Sequence, residues 1–305
     1  MKKRLLGWGV LFVLLFSGCN ASIPEFVFDG KIAFQKVDTI AILDGSTANE
    51  TIIPSEGQVL WVPNWSPDGS KILYVSSISG IWDQWISNFD IWVMNSDGSN
   101  RVQLTTNPTS DWMPRYSPDG TKIVYNSYGS GTDIDIWTMN SDGSGQTELT
   151  TVINDDFGGS WSPDGSKIAY ASREGNGIPS IWIMDSDGTN RYQLTPDYGN
   201  EEEDWDYFPS WSPDGMRILF SSRRAGRGVF DQWIINTDGT GLQQLTDTNR
   251  DDKLGCWSPD GTQILYCSRV NDIYNLWIMD SDGSNKKQIT FYSDYAGCPC
   301  WVDKQ

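Results

Sequence analysis

A unit of 44 to 51 residues recurs along this 305-residue chain, and no other feature restricts its fold as strongly. Trp-Ser-Pro-Asp-Gly occurs at Trp65, Trp161, Trp211 and Trp257, and Tyr-Ser-Pro-Asp-Gly at Tyr116. The aromatic returns alone at Trp301, within Cys-Pro-Cys-Trp. Self-similarity at this period belongs to a propeller blade, a unit that buries its apolar faces only against neighbouring copies.

Each interval repeats the same order of parts. After Asp-Gly comes a strand such as Lys71-Ile72-Leu73-Tyr74-Val75, then a loop of varying length, then an apolar strand such as Ile91-Trp92-Val93-Met94. A second Asp-Gly turn and a short Gln-Leu-Thr strand complete the unit. Pro in Ser-Pro-Asp-Gly suits a type I turn, and Asp-Gly is a hairpin signal. Four successive apolar residues without alternation fit a strand covered on both faces. The predicted fold is therefore all-β: a six-bladed β-propeller of four-stranded antiparallel blades. The N-terminal blade, beginning at Lys31-Ile32-Ala33-Phe34, lacks its first strand, while the chain ends with an unmatched one at Trp301. Closure by pairing the C-terminal strand with the N-terminal blade removes two open sheet edges. A ring closed in this way is expected to be a monomer.

These strings resemble the WD40-like (PD40) repeats of TolB-type six-bladed propellers, over residues 26–305. The resemblance implies action through protein contacts in the periplasm. Lys2, Lys3 and Arg4, an apolar run from Leu5 to Phe16, and then Ser17-Gly18-Cys19 read as an export signal. The ending resembles a bacterial lipobox, with an ordinary cleaved signal as the alternative. The expected organisation is a signal peptide at 1–18, a lipidated Cys19, a tether at 20–25 and the propeller at 26–305. The protein would be an exported lipoprotein facing the periplasm or the cell exterior, attached to the membrane by its lipid alone.

Composition narrows function. The chain has no histidine, so Ser-His-Asp triads, Cys-His pairs and His-bearing zinc sites are excluded. A net charge of −18 argues against nucleic acid as a partner. An envelope protein or a glycan is the expected partner. The alternative is a carbohydrate-active enzyme at the channel mouth, either a carboxylate-based glycosidase or a metal-dependent lyase.

Loops between second and third strands share one variable face with the blade-to-blade connections, while the Asp-Gly turns share the opposite, uniform face. On the variable face Asp111, Asp156, Asp206 and Asp252 stand five residues before the repeated aromatic, with Asp155 and Asp251 just before two of them. Trp112, Trp205 and Tyr207 flank them, and Trp82, Trp85, Tyr128, Phe230 and Tyr274 lie on neighbouring loops. This set is expected to ring the channel mouth. It could hold Ca²⁺ at Asp111, Asp156, Asp206 and Asp252, or a basic partner segment; alternatively each Asp serves its own loop. No cofactor is otherwise required.

Asp-x-Asp-Gly at Asp185 and Asp280 reads as a hairpin turn, since an EF-hand would need glutamate where Pro196 and Phe291 stand. Arg223, Arg224 and Arg227 form the only compact basic loop, and intramolecular pairing with Glu201, Glu202, Glu203 and Asp204 is expected. Cys256, Cys267, Cys298 and Cys300 are candidates for disulfides; pairing between adjacent blades would latch the ring.

Overall fold

A computed structural model describes residues 28–77, 88–128, 133–151, 154–175, 177–196 and 205–303. The signal peptide, Cys19, the tether, Trp82, Trp85 and the Glu201–Asp204 run lie outside the described residues. Among those described, twenty-four strands form six four-stranded sheets, each an antiparallel meander. The innermost strands of blades 2 to 6 are Trp61–Trp65, Asp111–Tyr116, Asp156–Trp161, Asp206–Trp211 and Asp252–Trp257. Blade 1 takes its innermost strand, Ala296–Val302, from the far end of the chain. That strand pairs with Lys31–Lys36 in the register Lys31↔Val302, Ile32↔Trp301 and Ala33↔Cys300. The ring closes as its repeat arithmetic requires.

The core is distributed. Six apolar clusters each bridge two neighbouring blades; the closing one joins Phe28, Ile32 and Phe34 of blade 1 to Leu265, Cys267 and Leu276 of blade 6. The unalternating third strands supply these seams from both faces, so Ile91, Val93 and Met94 are all buried.

The repeated turns hold themselves. In Ser66-Pro67-Asp68-Gly69, Ser66 Oγ donates to Asp68 Oδ1 at 2.6 Å and accepts Lys71 N–H at 2.9 Å. The same bonds recur at Ser117, Ser162, Ser212 and Ser258. In the second turn Asp187 Oδ1 accepts from Thr189 N at 3.0 Å and Oγ1 at 2.6 Å, so the Asp-x-Asp-Gly string is a self-bonded hairpin turn. Its glycine is needed sterically: Gly188 has φ +87°, and a Cβ there would stand 2.8 Å from Leu149 O.

Every innermost strand carries a bulge at its third repeat position, where the backbone turns left-handed: Val62, Met113, Gly158, Phe208, Leu254 and Cys298 have φ of 48° to 68°. Register against the second strand shifts at this point in each blade. For a residue with a Cβ, that conformation costs about 1–3 kcal/mol. Its repetition around the axis makes it a built feature of the channel wall.

Candidate functional site

The four repeated aspartates begin the innermost strands on the variable face, yet their side chains turn into the seams between blades. Asp111, Asp156 and Asp206 are fully buried and Asp252 is 1% exposed. Each pairs in register with a second-strand serine: Ser127, Ser172, Ser222 and Ser268. Each also faces the threonine that ends the preceding blade: Thr105, Thr150, Thr195 and Thr246. That threonine accepts a third-strand N–H at 2.9 Å in every such seam. The expected ring at the channel mouth is thus corrected: the carboxylates serve as blade-to-blade joints.

Three of these joints hold two acids around one threonine hydroxyl, namely Asp90 with Asp111, Asp135 with Asp156, and Asp231 with Asp252. A hydroxyl has one proton to donate, and Thr150 Oγ1 gives it to Asp135 Oδ1 at 3.0 Å. Ser172 and Thr150 stand beside Asp156 and favour its charged form, but its burial outweighs them. Burial pushes Asp90, Asp156 and Asp231 up to about 6 and Asp135 up to about 7. The joint between blades 4 and 5 is built differently. Ser180 replaces the third-strand acid, and Arg224 forms a buried ion pair with Asp206, which also accepts from Ser222 Oγ at 2.5 Å.

The basic loop therefore pairs within the molecule, through Arg224 to Asp206 and Arg227 to Asp231 at 2.5 Å. Arg223 instead lies over Phe230 and Trp205, 4.4 and 5.0 Å from their ring centroids. Around it the variable face gathers an aromatic cluster. Tyr207 meets Phe157, Trp205 and Phe230 edge-on at 5.6, 6.4 and 6.2 Å, and Arg173 Nη2 donates to its hydroxyl at 3.3 Å. Asp155 accepts from Ile134 N at 3.3 Å, and Asp251 accepts from Phe230 N and from the Tyr274 hydroxyl, both at 3.0 Å. Trp112 lies apart, against Tyr128 at 5.6 Å. Of the sequence-predicted residues, Trp205, Tyr207 and Phe230 converge, with Asp155 3.9 Å from Arg173 at their edge; Asp111, Asp156, Asp206 and Asp252 do not. Among the described residues no group of three or more acids or cysteines is arranged to hold a metal ion.

The channel itself contains a cavity of about 420 Å³. It extends toward the uniform face, where Pro67, Pro118, Pro213 and Pro259 of the repeated turns line it. Toward the variable face the left-handed ring narrows the axis: a side chain at Gly158 would meet Phe208 Cα and Met113 Sδ at 3.8 and 3.9 Å. Between these levels lies a polar ring, the residue before each repeated aromatic: Asn64, Arg115, Ser160, Ser210, Cys256 and Cys300. Sequence reasoning passed over it. Its signal is the variable residue that immediately precedes each repeated string.

Among the described residues, Cys256, Cys267, Cys298 and Cys300 are free thiols. Cys300 Sγ accepts from Asn64 Nδ2 and Trp65 N, both at 3.3 Å, and Cys267 is buried in the closing seam. The ring is latched here by strand pairing and by Trp301, whose Nε1 donates to Asp29 O at 2.7 Å, with no disulfide among the described residues.

The family model described as the TolB beta propeller domain matches residues 25–305. TolB from Acinetobacter baumannii superposes with a TM-score of 0.74 at 22% identity, over 92% of this chain and 68% of its own. An oligogalacturonate lyase in complex with manganese superposes at 0.60 with 16% identity, over 82% and 73%. At such identities these likenesses show the fold alone. A TolB homolog of Chlorobaculum tepidum is 36% identical over 63 residues, 21% of this chain and 13% of its own. The chain spans a fifth or less of the curated relatives it matches. With the family match extending over the whole ring, this chain belongs to the TolB β-propeller family.

Proposed function

We propose that this protein is an extracytoplasmic binding or scaffold protein, anchored by lipid at Cys19, whose variable face contacts an envelope protein or glycan. The observation that carries the reading is the cluster of Trp205, Tyr207 and Phe230 with Arg173 and Arg223. Trp, Tyr and Arg are the side chains that dominate hot spots at protein interfaces, because they offer large rigid surfaces at modest entropic cost. Aromatic faces also stack on sugar rings. Family membership and the export signature support a location in the envelope, and the absence of histidine favours binding over catalysis.

Affinity capture from native envelope extract, with a glycan panel in parallel, tests this. A discrete partner retained by the wild type and lost with Trp205→Ala/Tyr207→Ala is the expected result. A partner held equally by that variant refutes the assignment of the face, and turnover of any panel glycan refutes the binding reading itself.

A further inference from the structure

Arg115 is the one cation in the channel wall, and nothing described pairs with it. Its only hydrogen bond among the described residues is Nη1 to Pro209 O, 3.2 Å, reaching from blade 3 to blade 5. The inner strand of blade 4 between them is small, with Gly158, Gly159 and Ser160, and leaves the guanidinium room. A guanidinium has five N–H donors, so four are left over. No carboxylate of the described chain lies within ion-pair distance, and Asp303, the one acid of the lining, is exposed at the outer rim.

The rest of the ring is neutral. Ser160 and Ser210 take no side-chain partner among the described residues, while Asn64 and Cys300 bond each other. Tyr116, Trp161, Trp211, Trp257 and Trp301 stand next toward the opening, and residues of the left-handed ring line the inner end. The enclosure is thus aromatic and apolar around a single fixed positive charge, with a volume typical of small-ligand sites. A planar guanidinium matches a carboxylate through two parallel N–H···O bonds. A surrounding protein of net charge −18 disfavours ligands with several negative charges.

We propose that the channel cavity binds a small organic monocarboxylate from the uniform face, its carboxylate held by Arg115 and its apolar body against the tryptophan ring. This site is separate from the variable-face cluster and stands or falls independently of it.

The test is ¹⁹F NMR titration of the full-length protein with 4-fluorobenzoate, 4-fluorobenzamide serving as its neutral counterpart. The benzoate is expected to bind at least about tenfold more tightly than the amide, as one charge-assisted contact predicts. Arg115→Met should weaken the benzoate by a similar factor and leave the amide unchanged. Absent benzoate binding, equal binding of the two probes by the wild type, or unchanged benzoate binding in Arg115→Met overturns the proposal. The wild-type comparison decides alone if the variant does not fold.

Discussion

Asp156→Asn is predicted to stabilise the protein above neutral pH while leaving it nearly unchanged in mild acid. Asp156 is fully buried, and its neighbouring threonine has given its proton to Asp135, so burial outweighs what Ser172 and Thr150 offer its charged form. Burial raises its carboxyl from the ordinary 3.8 to about 6. At 1.36 kcal/mol per pH unit, that change corresponds to about 3 kcal/mol. The native state therefore holds a proton between those two values that the unfolded chain has released. Its contribution is fully present below pH 3.8, is lost as the pH rises through about 6, and is constant above that. Asparagine copies the shape of the neutral acid and never ionises. Denaturant midpoints at pH 4.5 and pH 8, converted with a common slope, should show a gain of about 1–3 kcal/mol at pH 8 and a change under about 1 kcal/mol at pH 4.5. Asp156→Asn destabilising the protein more at pH 8 than at pH 4.5 would refute the reasoning, since it would mean that the native carboxylate is ionised and usefully bound.

Three further perturbations probe other joints. Arg224→Met leaves Asp206 buried without its partner and should cost about 3–5 kcal/mol in denaturant unfolding, part of it recovered by adding Asp206→Asn. Trp301→Ala removes the indole that bonds Asp29 O and packs edge-on against Phe28, and should cost about 3–5 kcal/mol, opening the ring at its closure. Millimolar Ca²⁺ should give no heat in calorimetry, because Asp111, Asp156, Asp206 and Asp252 sit in four separate seams; a saturable heat abolished by replacing all four with Asn would restore the cation site.

The architecture was legible because each of its determinants is local and repeated. Trp-Ser-Pro-Asp-Gly sets a turn and the strands on either side, and the surplus strand at Trp301 had one place to go. The candidate site was less legible. Spacing put Asp111 and its equivalents at the start of an inner strand but said nothing of their rotamers, and the seam serine and threonine draw them away from the axis. Where a string is constant, its residues hold the blade together. Arg115 stands just before that string, where six blades offer Asn, Arg, Ser, Ser, Cys and Cys, and a channel needs no repeat there. Arg223 illustrates the other limit: its charge gave no hint of the two aromatic rings that the folded chain puts beneath it.

The assignment of a partner to the variable face is tested most directly by photo-cross-linking in intact cells. A benzophenone residue at Tyr128, exposed on that face, is compared with one at Met216, exposed in a turn of the uniform face. The account predicts a discrete cross-linked product from position 128 and none from position 216. Cross-linking from position 216 with none from position 128 would contradict it.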